Sequence, residues 1–212
     1  MGNSMFDNKS TVHNFLVGGQ IPLWLKITYT LFVSVLVPSY WKQYGPGNFL
    51  WFSDIALLTT TLTLWLEIPL LASMMTLSVV LLELTWNIDF FVRLSTGVSL
   101  IGLSGYMFDP SIPKPMRALS LFHVALPVLL LWLVYRLGYD GRALAAQTVF
   151  AWAVLLCSYF LTGAAENVNW VHGWGKTPQT WMPAPLYLAL LMILFPLVIY
   201  LPTHLLLRKL FH

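Results

Sequence analysis

Six runs of mainly apolar residues dominate the sequence, and each approaches or exceeds the roughly 20 residues that a helix needs to cross a bilayer. The runs lie at 22–41, 48–66, 70–92, 118–135, 143–162 and 184–207. Only 9% of the residues are charged and 58% are hydrophobic, whereas about a quarter of the residues in soluble domains are charged. The links are too short to hold a second module. We therefore predict an all-α integral membrane bundle of about six transmembrane helices, forming a single domain over 1–212.

The first twenty residues are polar and lack the basic and then apolar layout of a cleavable signal. The first helix is therefore expected to direct membrane insertion. Six crossings place both termini on one side of the membrane. The terminal pair Arg208 and Lys209, together with the short links on that side, favours cytoplasmic termini.

The net charge of +3 is spread along the chain. No basic cluster is interleaved with aromatic residues, which argues against a nucleic-acid partner. We expect membrane lipid as the partner. The single Cys157 excludes an internal disulfide, and its apolar surroundings indicate a packing role.

The links at 42–47, 93–116 and 163–183 fall on the side opposite the termini, which we call the loop face. The two longer links are aromatic and rich in Gly and Pro. The segment 105–115 contains three prolines, whose missing N–H groups disfavour a regular helix. We expect it to form a surface turn or a partly re-entrant flap.

Polar residues within the apolar runs concentrate near the loop face, when depth is counted at about 1.5 Å per residue. Such residues are costly in lipid and usually face the interior of a bundle. Four segments contribute them: Ser53 and Asp54; Glu83, Asn87 and Asp89; His123; and Glu166, Asn167, Asn169 and His172. We predict that they line one polar pocket that opens toward the loop face.

Two local features refine this prediction. Asp89 and Arg93 are spaced for an ion pair on one helix. Pro127 removes the N–H that would otherwise bond the carbonyl of His123, so the helix is expected to bend there and make space.

The pocket residues suit acyl transfer, which needs a nucleophile, a base, a group that orients the base, and oxyanion donors. Ser53 is the candidate nucleophile and His123 the candidate base. The orienting carboxylate is expected to be Asp54, Glu83 or Asp89, with Asp54 and Glu83 favoured as catalytic residues. The oxyanion donor is expected to be Asn87 or Asn167. The residues expected to bind substrate are Asn87, Asp89, Glu166, Asn167, Asn169 and His172.

Other functions use the same residues. A metal site could draw on His123, His172, Asp54, Glu83 and Glu166, but no ligand motif supports it, and we predict no metal and no cofactor. Haem is disfavoured because His123 and His204 lie near opposite faces, and His204 is interpreted as an interfacial anchor. In a non-catalytic lipid-binding or structural protein, the intramembrane carboxylates would pair with Arg93, Arg117 or Lys42. A proton-coupled carrier also stays open, although no inverted repeats are present.

The whole chain resembles a group of bacterial membrane-associated proteins of uncharacterised function. The resemblance lies in NFLWFSDIALL, ELTWNIDFFVRL, GYMFDP, SLFHVALP, AENVNWVHG and PLYLALL. It implies no activity, but it implies a multipass protein of the bacterial inner membrane.

More distantly, the layout is similar to the YwaF-like integral membrane family and its animal relative, a transmembrane phospholipid acyltransferase. The similarity lies in Ser53-Asp54, in a Pro-rich loop leading to His123, in Gly138-Tyr139 and in Asn169-Trp170. That family has Cys at the position of Ser53 and a histidine-rich motif just before it, where this chain has Leu50, Trp51 and Phe52. A hydroxyl needs stronger activation by a base than a thiol does. The androgen-regulated fatty-acid-ester hydrolases, which are similar in placing a hydroxyl nucleophile and a His on separate membrane helices, offer a precedent for Ser53 and His123.

Overall fold

The structure, a computed structural model, describes residues 20–175 and 177–211. Six apolar helices and no strands occur in this part of the chain. The helices are α1 (Leu23–Tyr44), α2 (Phe52–Leu66), α3 (Pro69–Thr96), α4 (Lys114–Leu137), α5 (Ala143–Leu161) and α6 (Ala184–Phe211). All but α2 are long and apolar enough to cross a membrane, and α2 has 15 residues. The predicted all-α membrane bundle is confirmed. The polar leader before Gln20 lies outside the described residues, as do Lys176 and His212.

Two of the long helices are irregular. Helix α4 begins with the short turn Lys114–Leu119 and continues as Phe122–Leu137. Helix α6 contains a π-helical segment, Phe195–Tyr200, between two α-helical parts, Ala184–Leu194 and Leu201–Phe211. Short 3-10 turns precede α2 at Pro46–Leu50, follow α3 at Gly105–Phe108, and lie beyond α5 at Val168–Trp170.

The prediction that 105–115 is irregular throughout is wrong at its end. After the 3-10 turn and a short bend, α4 already begins at Lys114. Pro115 is compatible with this start because it lies in the first turn of the helix. The N–H groups of a first turn have no acceptor within the helix, so proline loses nothing there.

Helix α3 is central and packs against α2, α4 and α5. Its interfaces use small side chains such as Ala72 and Ser73, both fully buried. In a membrane, small residues let helices approach closely, because packing and hydrogen bonds rather than expulsion of water hold the helices together. The core between the helices is filled by large buried residues, among them Leu36, Leu57, Met75, Leu126, Leu155 and Tyr200.

Polar contacts join the segments on the side of the termini. The Glu67 carboxylate accepts hydrogen bonds from the Lys26 ammonium at 2.7 Å and from the backbone N–H of Gln20 at 2.8 Å. The Tyr139 hydroxyl lies 2.6 Å from Nδ1 of His204, and both residues are buried. The interpretation of His204 as an interfacial anchor is therefore wrong, because its ring joins α6 to the link between α4 and α5.

Candidate functional site

A cavity of about 610 Å³ lies among α1 to α4 and the three links of the loop face. Seven of the ten predicted site residues line it: Ser53, Asp54, Glu83, His123, Glu166, Asn167 and Asn169. The remaining three, Asn87, Asp89 and His172, do not. The cavity is open at the loop face, because its lining includes Trp174, which is 63% exposed.

The centre of the site is a pair formed by Glu83 of α3 and His123 of α4. The His123 Nδ1 lies 2.8 Å and 3.0 Å from the two carboxylate oxygens of Glu83. Glu83 is buried, and the imidazole is stacked between Trp86 and Phe122, at 4.7 Å and 4.1 Å between ring centroids. The carboxylate and the two rings therefore fix both the position and the orientation of the imidazole.

The second nitrogen of His123 is available for chemistry. Its Nε2 makes no hydrogen bond within the described ranges and is not among the occluded polar atoms without a partner. A histidine whose Nδ1 donates to a carboxylate carries its lone pair on Nε2, which can then act as a base toward a bound molecule. Glu83, rather than Asp54 or Asp89, is the carboxylate that orients His123.

Asp54, in the first turn of α2, is 4% exposed and lines the same cavity. Its Oδ2 accepts a hydrogen bond from the Asn48 side chain at 3.2 Å. Its Oδ1 is buried and has no hydrogen-bond partner among residues 20–175 and 177–211. No arginine or lysine of these ranges pairs with Asp54. The charge of Asp54 is close enough to interact with those of His123 and Glu83.

Asn48 lines the cavity and was not predicted as a site residue. It lies in the 3-10 turn Pro46–Leu50, whose last three residues fall within the predicted second helix. The Gly45-Pro46-Gly47 segment just before it is a signal for a turn, and could have revealed that Asn48 lies in a link.

Ser53 lies next to Asp54 at the start of α2, where it also lines the cavity. No hydrogen bond joins its hydroxyl to His123 in the described structure. The backbone N–H groups of Ser53 and Asp54 belong to the first turn of α2 and have no hydrogen-bond partner there either. Free N–H groups at a helix start favour negative charge. They are therefore candidate oxyanion donors beside the Ser53 hydroxyl.

The prediction that Asn87 donates to an oxyanion is wrong. Its amide nitrogen has two N–H groups, and they bond the carbonyls of Glu83 and His123, each at 2.8 Å. The His123 carbonyl needs this donor because residue 127 is proline and supplies no N–H. Asn87 therefore stabilises α4 where that helix lacks its own hydrogen bond.

Asn167 is excluded as an oxyanion donor for the same reason, because both N–H groups of its side chain are already bonded. Its amide nitrogen bonds the carbonyls of Gly173 and Gly175, at 2.7 Å and 2.9 Å. The Asn169 amide nitrogen likewise donates both of its N–H groups, to the Leu50 carbonyl and to the Ser158 hydroxyl. Its oxygen accepts the backbone N–H of Phe52, at the start of α2. Both asparagines have positive φ, which Asn tolerates better than most residues. They shape the lining and fix the start of α2.

Asp89 holds the link that follows α3. Its Oδ1 accepts hydrogen bonds from three consecutive backbone N–H groups, those of residues 100–102, at 2.9 to 3.1 Å. Its Oδ2 accepts from the N–H and the hydroxyl of Ser104. The predicted ion pair with Arg93 is wrong, because the Arg93 guanidinium lies over the ring of Phe108, 4.7 Å from its centroid. Asp89 contributes to the cavity indirectly, because Ile101, Gly102 and Leu103 line it.

The last two predicted residues lie away from the Glu83–His123 pair: His172 is outside the cavity lining, and Glu166 is exposed. The His172 ring stacks on Tyr159 at 5.2 Å and does not line the cavity. Glu166 is exposed at the mouth, where its carboxylate accepts the N–H of Gly163 at 3.0 Å. In the part of the chain that the structure describes, no three His, Cys, Asp or Glu residues are grouped to hold a metal ion.

Comparison of the chain with protein-family profiles, with curated proteins and with solved structures found no match.

Proposed function

We propose that this protein is an intramembrane acyl hydrolase or acyltransferase that acts on a lipid ester. The observation that carries this proposal is the Glu83–His123 pair. Nε2 of this histidine makes no hydrogen bond in the described structure, and His123 and Ser53 line the same cavity. A buried carboxylate that orients a histidine is the arrangement that serine acyl enzymes use to activate a hydroxyl. The membrane helices around the cavity favour a lipid as the substrate.

In the proposed reaction, the Ser53 hydroxyl oxygen attacks the ester carbonyl while Nε2 of His123 takes its proton. Glu83 stabilises the imidazolium that forms. The N–H groups of Ser53 and Asp54 are the donors for the oxyanion. The alcohol then leaves with the proton from His123, and the acyl group stays on Ser53. Water or a second alcohol then attacks the acyl-serine while His123 takes its proton. The bond between the acyl group and the Ser53 oxygen breaks, the acid or the new ester is released, and His123 returns the proton to the Ser53 oxygen.

Ser53 and His123 must come within hydrogen-bond reach for this reaction. The absence of that bond in the ligand-free structure is compatible with the proposal, because catalytic hydrogen bonds often tighten only when substrate is bound. A single rotatable bond separates the Ser53 hydroxyl from its backbone, so a change of χ1 rotamer can redirect it.

Labelling with a fluorophosphonate ester probe tests the proposal, because such a probe reacts with activated serines. Detergent-solubilised wild type is expected to be labelled, and Ser53→Ala is expected to lose labelling completely. His123→Ala and Glu83→Gln should slow labelling about 100-fold or more, the usual effect of removing a general base or its orientation. Ser34→Ala is the matched control, because Ser34 is exposed on α1 and bonds only the Thr30 carbonyl. The proposal fails if folded wild type is not labelled, or if Ser53→Ala is labelled as fast as wild type.

A second candidate function is non-catalytic lipid binding. The missing Ser53–His123 hydrogen bond favours it, since the Glu83–His123 pair then only holds α3 against α4. In that case wild type is not labelled, but a lipid still protects the protein from thermal unfolding.

A further inference from the structure

We propose that the cavity binds an organic ammonium group, either free or as the headgroup of a lipid. This inference deepens the proposed acyl chemistry by naming the substrate class, but the binding it describes does not require that chemistry. It depends on the acidic side chains and the aromatic walls of the cavity, and on the lack of a counterion for the buried Asp54.

The charged side chains that line the cavity are acidic. Asp54, Glu83 and Glu166 contribute carboxylates, and His123 is the lining residue that can offset one of them. No lysine or arginine is found among the described lining residues. The nearby Arg117 instead bonds the Met107 carbonyl, and Arg93 covers Phe108. With His123 either neutral or protonated, the lining keeps a net negative charge, which favours a cationic ligand.

Asp54 is the buried carboxylate of this lining that lacks a counterion in the described structure, because Glu83 is paired with His123 and Glu166 is exposed. It is 4% exposed, and its Oδ1 has no hydrogen-bond partner in the described ranges. A buried carboxyl group stays ionised only when a charge or enough donors compensate it. The single bond from Asn48 leaves this requirement unmet. A cation bound in the cavity beside Asp54 would compensate its charge without contacting the occluded Oδ1.

The walls indicate which kind of cation fits. Eight of the 25 lining residues are Phe, Trp or Tyr, about twice the 15% share of these residues in the chain. Trp51 and Trp174 both pack against Trp170, with ring centroids 5.6 Å and 5.1 Å apart, and all three line the cavity. Aromatic faces bind ammonium groups by cation–π attraction. A small metal ion instead needs several converging ligands, and no three His, Cys, Asp or Glu side chains are grouped for one in the described structure.

Calorimetric titration of the full-length, detergent-solubilised protein tests the inference with defined probes. Choline is expected to bind, and its uncharged isostere 3,3-dimethyl-1-butanol is expected to bind at least tenfold more weakly, because it has the same shape without the charge. Short-chain phosphatidylcholine, compared with short-chain phosphatidylglycerol, tests the lipid source. Tighter binding of phosphatidylcholine than of choline supports a lipid headgroup, and the reverse order supports a free amine. The inference is overturned if no ammonium compound binds, or if the uncharged isostere binds as well as choline.

Two variants locate the site. Asp54→Asn keeps the shape of the side chain and is expected to weaken choline binding about tenfold or more, the effect of removing a desolvated charge. Trp174→Leu removes an exposed ring at the mouth and should weaken binding severalfold. The matched controls, Asp140→Asn and Trp24→Leu, change an acid on the opposite side and an exposed indole that does not line the cavity, and they should bind choline like wild type. Unchanged affinity in folded Asp54→Asn would contradict the inference.

Calorimetry and serine labelling separate the two proposals. Choline binding without probe labelling would refute the acyl chemistry and leave the ammonium site intact. Labelling without choline binding would keep the acyl chemistry and assign it a substrate without a cationic group.

Discussion

At the scale of single residues, the carboxylates of this chain differ in what compensates their charge. Glu83 is paired with a histidine, Asp89 with backbone N–H groups, and Glu67 with an ammonium and two backbone donors. Asp54 has one weak donor. The sequence indicates that all four are in or near helices, but not which donors reach them. Their partners come from segments 6 to 47 residues away in the chain, so only the tertiary fold decides them.

Glu67 gives the protein a predictable response to acid. Burial opposes its negative charge, but the bonds from Lys26, Gln20 and Ile21 outweigh burial and hold the pKa of Glu67 below its ordinary value of 4.5. A group with a lowered folded-state pKa stabilises the fold above its ordinary pKa, and this stabilisation is lost as the pH falls through the folded-state value. The contribution of Glu67 is therefore complete at pH 7 and declines below about pH 4.5.

We expect Glu67→Gln to be less stable than wild type at pH 7 by about 1 kcal/mol, or roughly 2–4 °C in Tm. The difference should shrink as the pH is lowered toward 3. Thermal unfolding in detergent at several pH values measures it. In a Lys26→Met background the effect of Glu67→Gln at pH 7 should be smaller. A difference that stays constant from pH 7 to pH 3 would contradict the assignment.

At the scale of elements, α3 organises the site from one stretch of its length. Glu83 binds the side chain of His123, Asn87 binds its carbonyl, and Asp89 binds the link that follows. The polar positions of α3 were evident in the sequence because they interrupt an apolar run. Their separate roles were not, since the spacing of Asp89 and Arg93 fits an ion pair as well as two unrelated contacts.

The pairing of Asn87 with Pro127 can be tested by coupled substitutions. Asn87→Leu should destabilise the protein by about 1–3 kcal/mol, because it leaves the His123 carbonyl without a donor in an apolar environment. Pro127→Ala restores an N–H four residues after His123, within helical hydrogen-bond reach. The double variant should therefore recover part of the stability that Asn87→Leu loses. Thermal unfolding of the four proteins measures the coupling, and strictly additive effects would refute it.

Asp89 should control the order of the link between α3 and α4. Asp89→Ala removes the acceptor of five hydrogen bonds, four of them from backbone N–H groups. We expect faster proteolysis within 97–113 and a Tm lower by several degrees, since buried donors without an acceptor cost about 1–3 kcal/mol. Asp140→Asn, on the side of the termini, is the control and should leave the cleavage pattern unchanged. Resistance of Asp89→Ala equal to that of wild type would contradict this role.

At the scale of the whole molecule, the sequence predicts the helices closely, because an apolar run near 20 residues has few alternatives. The predicted and observed bounds of α5 differ by one residue at its end. Other bounds differ by up to four residues, and the difference that matters for the site is in α2, which begins at Phe52 rather than near residue 48. Hydrophobicity alone does not distinguish an apolar 3-10 turn from the first turn of a helix. The sequence therefore predicts Asn48 as a helix residue, whereas in the structure it lies in the turn before α2 and lines the cavity.

The orientation of the chain in the membrane stays a prediction that labelling can test. With cytoplasmic termini, the loop face lies outside the cytoplasm. In a Cys157→Ser background, a cysteine at Ser111 should react with an impermeant maleimide in intact spheroplasts, and one at Gly141 should react only after lysis. Both positions are exposed, so a reversed pattern would assign the opposite orientation.

The hydrogen bonds around the cavity divide its walls into two units. Helix α3, His123 of α4 and the link at 100–104 are joined by Glu83, Asn87 and Asp89. The start of α2 is joined to α5 through Asn169 and Ser158. We expect a bulky molecule to enter by widening the gap between these units. The proposed base His123 and the proposed nucleophile Ser53 belong to different units, so we expect closure of the cavity around a ligand to bring them together as well.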